Sequence, residues 1–235
     1  MPHIKVESIS DEVKKYLERS IFSGKLKPGE QIKEQELAEN LGVSRPPIRE
    51  AFKILEAEGL LIRRPNRGVF VREIDKKDLW EIYTLKIKLY GMGTELAFEN
   101  ITPALIKKLE QVVERMKKCC ISTPLEIALY QRLNEQFHDM ILEASGHERL
   151  RRIVATLHNQ VKRFSARSLS KPEHIKRSCH YHERILEAIK RRDRHATVRL
   201  TEEHVAEALN LLNTLMDDDW KERDLSERRA SRAGG

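Results

Sequence analysis

Hydrophobic residues recur with helical spacing over most of the chain, and their pattern changes at residues 73–78. Before this point, turn signals such as Gly24, Gly42 and Gly59 separate short elements. After it, long helical patterns follow one another with very few residues between them. The pattern therefore predicts two regions of different architecture.

The first region predicts three short helices. Val13, Leu17 and Ile21 recur every fourth residue and indicate a first helix of about 13 residues. A second helix is expected at 34–41 and a third from residue 44 to about residue 58, with only a glycine-containing turn between them. Two helices joined by so short a turn form a helix-turn-helix.

A β-hairpin is expected directly after the third helix. Strand-forming residues at 61–64 and 69–71 flank the turn signal Pro65-Asn66-Arg67-Gly68. A helix-turn-helix followed by a hairpin is a winged helix, so residues 1–73 are expected to form a winged helix-turn-helix domain.

The second region predicts an antiparallel bundle of about six helices, because short loops force neighbouring helices to pack antiparallel. Start signals are a capping residue followed by proline, as in Thr102-Pro103 and Thr123-Pro124, and Ser170 with Pro172. The helices are expected at 76–99, 103–119, 124–144, 148–168, 172–191 and 194–216.

The fold class expected for the whole chain is mostly α. Residues 74–78 are expected to be a linker and residues 79–216 a helical domain. The charged segment 217–235 is expected to be a frayed tail.

Composition excludes several protein classes. With 235 residues, 40% hydrophobic and 34% charged, the chain is expected to be globular with a sizeable core. No apolar stretch approaches the roughly 18 residues of a membrane span, and the start lacks the apolar core of a signal peptide, so we expect a cytoplasmic protein without a membrane partner. Cys119, Cys120 and Cys179 form no C-x-x-C pair and are expected to be core-packing thiols.

The net charge of +7 is unevenly distributed in the first region. Residues 1–43 have a net charge of −1, whereas residues 44–72 have a net charge of +4. Arg45 and Arg49 are four residues apart and project from one face of the third helix. An arginine fork pairs with guanine in the major groove, which admits a helix, so we expect double-stranded DNA as the partner. The alternative is a solvated basic face with surface ion pairs.

Ser44 is expected at the N-cap of this helix. The backbone N–H groups that its hydroxyl would normally accept from belong to Pro46 and Pro47, which have none. The hydroxyl should therefore be free for a DNA phosphate. Further candidate DNA contacts are Gln35 on the second helix and Asn66 and Arg67 at the wing tip.

Residues 24–71 resemble the DNA-binding domain of the GntR family of bacterial transcription regulators. The residues that carry the resemblance are Pro28-Gly29, Leu37-Ala38, Val43-Ser44-Arg45, Arg49-Glu50-Ala51, Leu55, Glu58-Gly59-Leu60 and Gly68. The resemblance implies operator contacts at Gln35, Ser44, Arg45, Pro46 and Arg49, and a wing tip at Asn66, Arg67 and Gly68. Gln35 stands where an arginine is common in this family. The implied protein is bacterial and associated with the nucleoid.

Three histidines lie on the apolar stripes of three different helices of the second region: His138, His182 and His204. A single inward histidine is usually a satisfied core residue. Three from three bundle helices can instead converge on one divalent metal ion, for which zinc, nickel and manganese are the candidates. Asn134, one turn before His138, can add an amide oxygen. The other histidines at 147, 174, 180 and 195 are expected to be exposed.

Residues 75–216 resemble the FadR-type ligand-binding domain of the same family. The resemblance rests on Asn134-x-x-Phe137-His138, on Gly146 with Leu150, and on His182-x-x-Ile185-x-x-Ala188-Ile189 leading to Asp193, Ala196 and His204. Metal-binding members have Asp, His, His and His where this chain has Asn134, His138, His182 and His204. Asparagine removes a negative charge, which implies either a weak site or one completed by the carboxylate of the effector.

The resemblance also implies an effector contact from the first bundle helix. Relatives often have Arg and then an acid one turn later, where this chain has Lys86 and Tyr90. Lys86 is expected to pair with an effector carboxylate as a point charge.

The function expected from these patterns is sequence-specific DNA binding by a transcriptional regulator, a repressor, that a small organic acid modulates. A homodimer would read a palindromic operator with two recognition helices. The alternative is a metal-dependent enzyme with a winged-helix interaction module. That alternative lacks a second Glu-x-x-His motif and an inward general base.

Overall fold

The computed structural model describes residues 8–233, apart from the side chains at 163, 166 and 218–233. The fold is mostly α-helical with one small sheet, as predicted. Its elements are α1 (Ile9–Phe22), β1 (Gln31–Ile32), α2 (Glu34–Leu41), α3 (Arg45–Ala57), β2 (Leu61–Arg64), β3 (Gly68–Val71), α4 (Lys76–Ala97), a 3₁₀ helix (Phe98–Asn100), α5 (Pro103–Ile121), α6 (Ile127–Ala144), α7 (Glu148–Leu169), α8 (Pro172–Lys190) and α9 (Arg194–Ala233).

The described residues form two compact units. One comprises residues 8–75 with 158–163, and the other comprises 76–157 with 164–233. The division after residue 75 lies inside the segment expected to be a linker, although α4 already begins at Lys76. Among the described residues, no helix combines the length and apolar content needed to cross a bilayer.

The helix-turn-helix of the first unit agrees with its predicted bounds. The turn after α2 needs a left-handed residue, and Gly42 supplies it with φ +65°. Ser44 is the N-cap of α3, and Glu58 is its C-cap. The inner faces of the helices and the wing share one core, whose largest fully buried members are Leu17, Ile48, Phe52 and Leu55.

The wing is an antiparallel hairpin in which Leu61 pairs with Val71 and Arg64 pairs with Gly68. A third strand, β1, pairs with β3 on its other side, so the sheet order is β1-β3-β2. The sequence did not predict β1, because two residues are too few to display the alternation that identifies a strand.

The second unit is the predicted helical bundle. In space, α4 packs against α9 and α6, while α8 packs against α9 and α5. A continuous core joins α5, α6, α8 and α9, with Tyr130 and Phe137 among its fully buried side chains.

One predicted helix start and one predicted cap are wrong. α6 begins at Ile127 and not at residue 124: the Ser122 hydroxyl accepts the Glu126 N–H, and Leu125 packs on the core before the helix starts. At α8 the N-cap is Lys171, and the Ser170 hydroxyl donates to the carbonyl of Arg167 at the end of the preceding helix. The predicted cap at Thr102 is confirmed, since its hydroxyl accepts the Leu105 N–H.

The last helix is longer than its apolar stripe. α9 was expected to end at residue 216 but continues to Ala233. Residues 217–233 contain no glycine or proline and many good helix formers, so nothing in the sequence ends the helix there. The side chains beyond Asp217 lie outside the described part, and the fraying of this tail stays a prediction.

Candidate functional site

The N-terminal half of α3 presents two exposed arginines that one carboxylate holds together. The Nε atoms of Arg45 and Arg49 lie 2.5 and 2.9 Å from Oε1 of Glu34, the first residue of α2. The sequence analysis missed Glu34, because the pairing spans the helix-turn-helix turn and has no fixed spacing along the chain.

This pairing orients the arginines and leaves their forks available. Hydrogen bonds from Arg49 and Arg45 hold the pKa of Glu34 below its usual range, so Glu34 is ionised at neutral pH. Within the described part of the chain, both arginines bond Glu34 through Nε alone. The two side chains are 55% and 58% exposed, so their terminal Nη groups stay available for a further partner.

The Ser44 hydroxyl is free of a capping role, as the two prolines at 46 and 47 predict. The residue is exposed, and its side chain makes no cap hydrogen bond. Pro46 is exposed beside it. The first turn of α3 thus offers a hydroxyl and the positive end of the helix dipole to an anion.

The remaining predicted contacts of this unit are also exposed. Gln35 donates its amide to Glu39 at 3.1 Å, one turn along α2. Asn66, Arg67 and Gly68 form the tip of the wing, where Asn66 and Gly68 take positive φ values of 58° and 94°. The Gln31 amide donates to the carbonyl of Arg67 at 2.6 Å and steadies the tip from β1.

In the second unit, the three predicted histidines converge inside the bundle. His138 on α6, His182 on α8 and His204 on α9 are all buried, and one ligand atom from each lies within 4.8 Å of the others. The Nε2 atoms of His138 and His182 are 3.3 Å apart. The rings of His138 and His204 stack with their centroids 5.2 Å apart. This group can hold a metal ion.

The backbone fixes the orientation of His182. Its Nδ1 is 2.7 Å from the carbonyl of Ser178, so Nδ1 donates and Nε2 is left as the ligand atom facing His138. Burial lowers the pKa of His182 to about 4, and burial together with the neighbouring imidazoles also lowers the pKa of His204. The rings of His182 and His204 are therefore neutral at pH 7, the form that binds metals.

Lys86 and Tyr90 of α4 lie beside the histidines. The ring of Tyr90 meets that of His138 edge-on at 5.2 Å. Lys86 is 4% exposed, and its Nζ lies over the rings of Tyr83 and Tyr90 at 4.7 and 5.9 Å. Burial lowers the pKa of Lys86 to about 8 against the opposing charge of Glu135. No described hydrogen bond or ion pair neutralises this ammonium.

We use the name effector chamber for the buried cluster formed by Lys86, Tyr90 and the three histidines. Asn134 lies one turn before His138 on α6 and is half-buried, so it stands on the helix that borders the chamber.

Two of the four histidines expected to be exposed are not. His174 is 3% exposed, because it stands two turns before His182 on the inward face of α8. His147 is half-buried and accepts the Leu150 N–H through Nδ1 at 3.2 Å, which caps α7. His180 and His195 are exposed, as predicted.

The chain matches two protein-family descriptions, in the order of its two units. "Bacterial regulatory proteins, gntR family" covers residues 9–71, and "FCD domain" covers residues 81–207, more than half of the chain. The chain belongs to the GntR family. It is thus a DNA-binding transcriptional regulator with an effector-binding FCD domain, and the enzyme alternative receives no support.

Its relatives include HTH-type regulators and operon repressors. The chain is 31% identical to the transcriptional regulator YdhC of Bacillus subtilis over 77% of this chain and 80% of that one. It is 30% identical to the gluconate operon transcriptional repressor of the same organism over 76% and 74%.

Solved structures share the fold of this GntR-family chain. Escherichia coli McbR/YncC superposes with a TM-score of 0.75 at 24% identity, covering 89% of this chain and 99% of that one. A GntR regulator from Rhodococcus sp. RHA1 gives a TM-score of 0.72 at 20% identity, with coverage of 88% and 99%.

We predict that Lys86→Met stabilises the protein. Methionine fills a similar volume and removes a buried ammonium for which the described residues provide no hydrogen bond, which should raise the free energy of unfolding by about 1–3 kcal/mol. Urea denaturation of the two proteins measures the difference.

The control is Lys88→Met on the same helix. Lys88 is exposed and pairs with Glu202 at 3.1 Å, so its replacement should change stability by under about 1 kcal/mol. A loss of stability in Lys86→Met would mean that the ammonium makes a net favourable contribution where it lies.

Proposed function

We propose that this GntR-family regulator is a homodimeric repressor that binds a palindromic operator, and that a small organic acid held with a divalent metal ion modulates its DNA binding. The observation that carries the proposal is the effector chamber, where the buried ammonium of Lys86 lies beside three buried imidazoles. As a DNA-bound regulator it would act at the nucleoid, in the cytoplasm.

The proposed operator contacts use the exposed face of α3 and the wing. Arg45 and Arg49 would read guanines through the Nη groups that Glu34 leaves free. Ser44, beside Pro46, would contact a phosphate at the N-terminus of α3. Gln35 and the wing tip at Asn66, Arg67 and Gly68 would contact flanking phosphates or the minor groove.

The residues present fit a metal ion of the zinc or nickel type. The 3.3 Å between Nε2 of His138 and Nε2 of His182 equals the separation of two nitrogens in a tetrahedral shell with bonds of about 2.0–2.1 Å. His204 would be the third ligand, and the Asn134 amide oxygen a fourth. Imidazole donors favour zinc and nickel over manganese. When bound, the metal would supply a positive charge for an anionic effector.

The same chamber favours an anion as effector. Lys86 supplies a buried positive charge, and the Tyr90 hydroxyl supplies a hydrogen-bond donor, because burial raises the pKa of Tyr90 and keeps it protonated. A carboxylate that pairs with Lys86 would supply the missing neutralising charge. A small organic acid meets both requirements, since one carboxylate oxygen can bond Lys86 while another group faces the histidines.

An exposed apolar stripe on α4 supports the homodimer. Leu85, Leu89, Met92 and Leu96 recur at i, i+4, i+7 and i+11, and three of them are more than a third exposed in the single chain. This spacing suits a helix pair between two copies. A two-fold dimer places two recognition helices on one duplex, which is the arrangement that a palindromic operator requires.

The sign of regulation follows from the named relatives. Two of them are named as operon repressors, the gluconate operon transcriptional repressor of Bacillus subtilis and the probable D-xylose utilisation operon transcriptional repressor of Paenarthrobacter nicotinovorans. A repressor is released when its effector favours a dimer geometry that does not fit the operator.

The DNA contacts are tested by Arg49→Ala. We expect loss of discrimination between an operator selected from a random duplex library and a scrambled duplex, since a bidentate arginine contributes about 1–3 kcal/mol per base. Fluorescence anisotropy at several salt concentrations measures both affinities.

The matched variant is Arg67→Ala at the wing tip. This variant should bind both duplexes more weakly and by the same factor. The slope of log affinity against log salt concentration should fall in magnitude by about one, as expected for a lost phosphate contact. Unchanged discrimination in Arg49→Ala would rule out a base contact by this residue.

The metal proposal is tested by His182→Ala with His180→Ala as control. Both residues lie on α8, but His182 is buried in the chamber and His180 is exposed. Untagged protein loaded with zinc or nickel should contain about one metal ion per chain by mass spectrometry. His182→Ala should lose it and His180→Ala should keep it. Equal metal content in both variants would make the three histidines purely structural.

A further inference from the structure

Two cysteines from different helices meet in the core of the second unit. Cys120 on α5 and Cys179 on α8 are 8% and 6% exposed and belong to the same buried core cluster. The Sγ of Cys120 also lies 3.7 Å from the carbonyl of Ile175, which is one turn before Cys179 on α8. Side chains four residues apart on a helix share a face, so this contact independently places Cys120 against the turn that carries Cys179.

The two thiols are chemically unequal. The neighbouring Cys120 lowers the pKa of Cys179, and Lys117 acts in the same direction, whereas burial and Glu183 oppose both; the neighbouring Cys179 and burial raise the pKa of Cys120. An attacking thiolate beside a protonated partner thiol is the arrangement of redox-active dithiols. Cys119 is different: its Sγ faces Glu126 at 3.8 Å, and burial raises its pKa.

A surface groove leads toward this pair. The groove between α5 and α8 has a volume of about 920 Å³ and is lined by residues that include Lys117 and Glu183. These two side chains form an ion pair of 3.1 Å, and each stands one helical turn from one of the cysteines. Neither cysteine lines the groove, so a small oxidant would reach the thiols from it only when this ion pair opens.

We propose that Cys120 and Cys179 form a reversible dithiol–disulfide pair that a peroxide closes and a cellular thiol reopens. The Cys179 thiolate attacks a peroxide oxygen and breaks the O–O bond, which gives a sulfenic acid and, after protonation, one water. The Cys120 sulfur then attacks the sulfenic sulfur, its S–H proton leaves with the hydroxyl as a second water, and the S–S bond forms. Two thiols and one hydrogen peroxide thus give one disulfide and two waters.

The disulfide would act on the effector chamber through the residue next to Cys179. Ser178 accepts the Tyr130 hydroxyl on Oγ at 2.8 Å, and its carbonyl accepts Nδ1 of His182 at 2.7 Å. A covalent bond between α5 and α8 replaces a looser thiol contact and shifts the backbone at 178–179. The orientation of His182 would then report the oxidation state of the pair.

The first test maps the disulfide in full-length Cys119→Ser protein, whose tryptic peptide spanning residue 120 contains a single cysteine. The reduced protein is treated with hydrogen peroxide, its free thiols are alkylated after unfolding, and the digest is analysed by mass spectrometry. We expect a peptide pair joined through Cys120 and Cys179 that reductant separates, in protein that migrates as a single chain. Alkylation of both thiols, separate over-oxidation, or a link between two chains would overturn the proposal.

The second test reads His182 without any metal. Histidine-selective ¹⁵N labelling follows the imidazole nitrogens before and after peroxide, and His182→Gln assigns the resonance. Oxidation should shift the His182 signals in Cys119→Ser and leave exposed His195 unchanged. Cys119→Ser with Cys179→Ser should show no shift. Cross-linked protein with unshifted His182 signals would overturn the coupling to the chamber, and this readout does not depend on metal binding.

Discussion

The burial of four basic side chains in one helical bundle is the constraint on which the second unit depends. His138, His182, His204 and Lys86 all lie inside, where each polar group costs free energy unless it has a partner. The three imidazoles contact one another, His182 also bonds the Ser178 carbonyl, and His182 and His204 stay neutral because burial lowers their pKa values. Among the described residues, the Lys86 ammonium contacts the rings of Tyr83 and Tyr90 and feels the negative charge of Glu135. A core of this kind is not optimised for stability. An anionic ligand that pairs with the Lys86 ammonium would stabilise it.

The first unit handles its charges in the opposite way. Its arginines lie on the surface, where water screens them, and Glu34 on the neighbouring helix holds both by Nε. The ion pair has little value for stability at this exposure, so its role is one of orientation. Because Glu34 already holds both guanidinium groups, the two arginines lose little side-chain entropy when they bind a partner.

The elements that repeat a pattern over many residues were predictable from the sequence. The helices of both units, the hairpin and the convergence of three histidines follow from spacing, because inward faces of bundle helices must meet. Single contacts were not predictable. Glu34 pairs across a turn, β1 spans two residues, and the N-cap of α8 shifted by one residue to Lys171. His174 was expected to be exposed but is buried, because it lies two turns before His182 and therefore on the same inward face of α8. The Cys120–Cys179 contact joins helices whose packing partners the sequence does not specify.

The central claim is that the effector chamber binds a divalent metal ion together with a small organic acid. The thermal midpoint of unfolding tests this claim most directly. Metal-free protein is compared with protein given zinc and a small dicarboxylate such as succinate, alongside His182→Leu, which keeps the volume but removes the ligand. The account predicts that zinc raises the midpoint of the native chain, that the acid raises it further, and that His182→Leu responds to neither. An equal midpoint with and without ligands in the native chain, or an equal rise in His182→Leu, would contradict it.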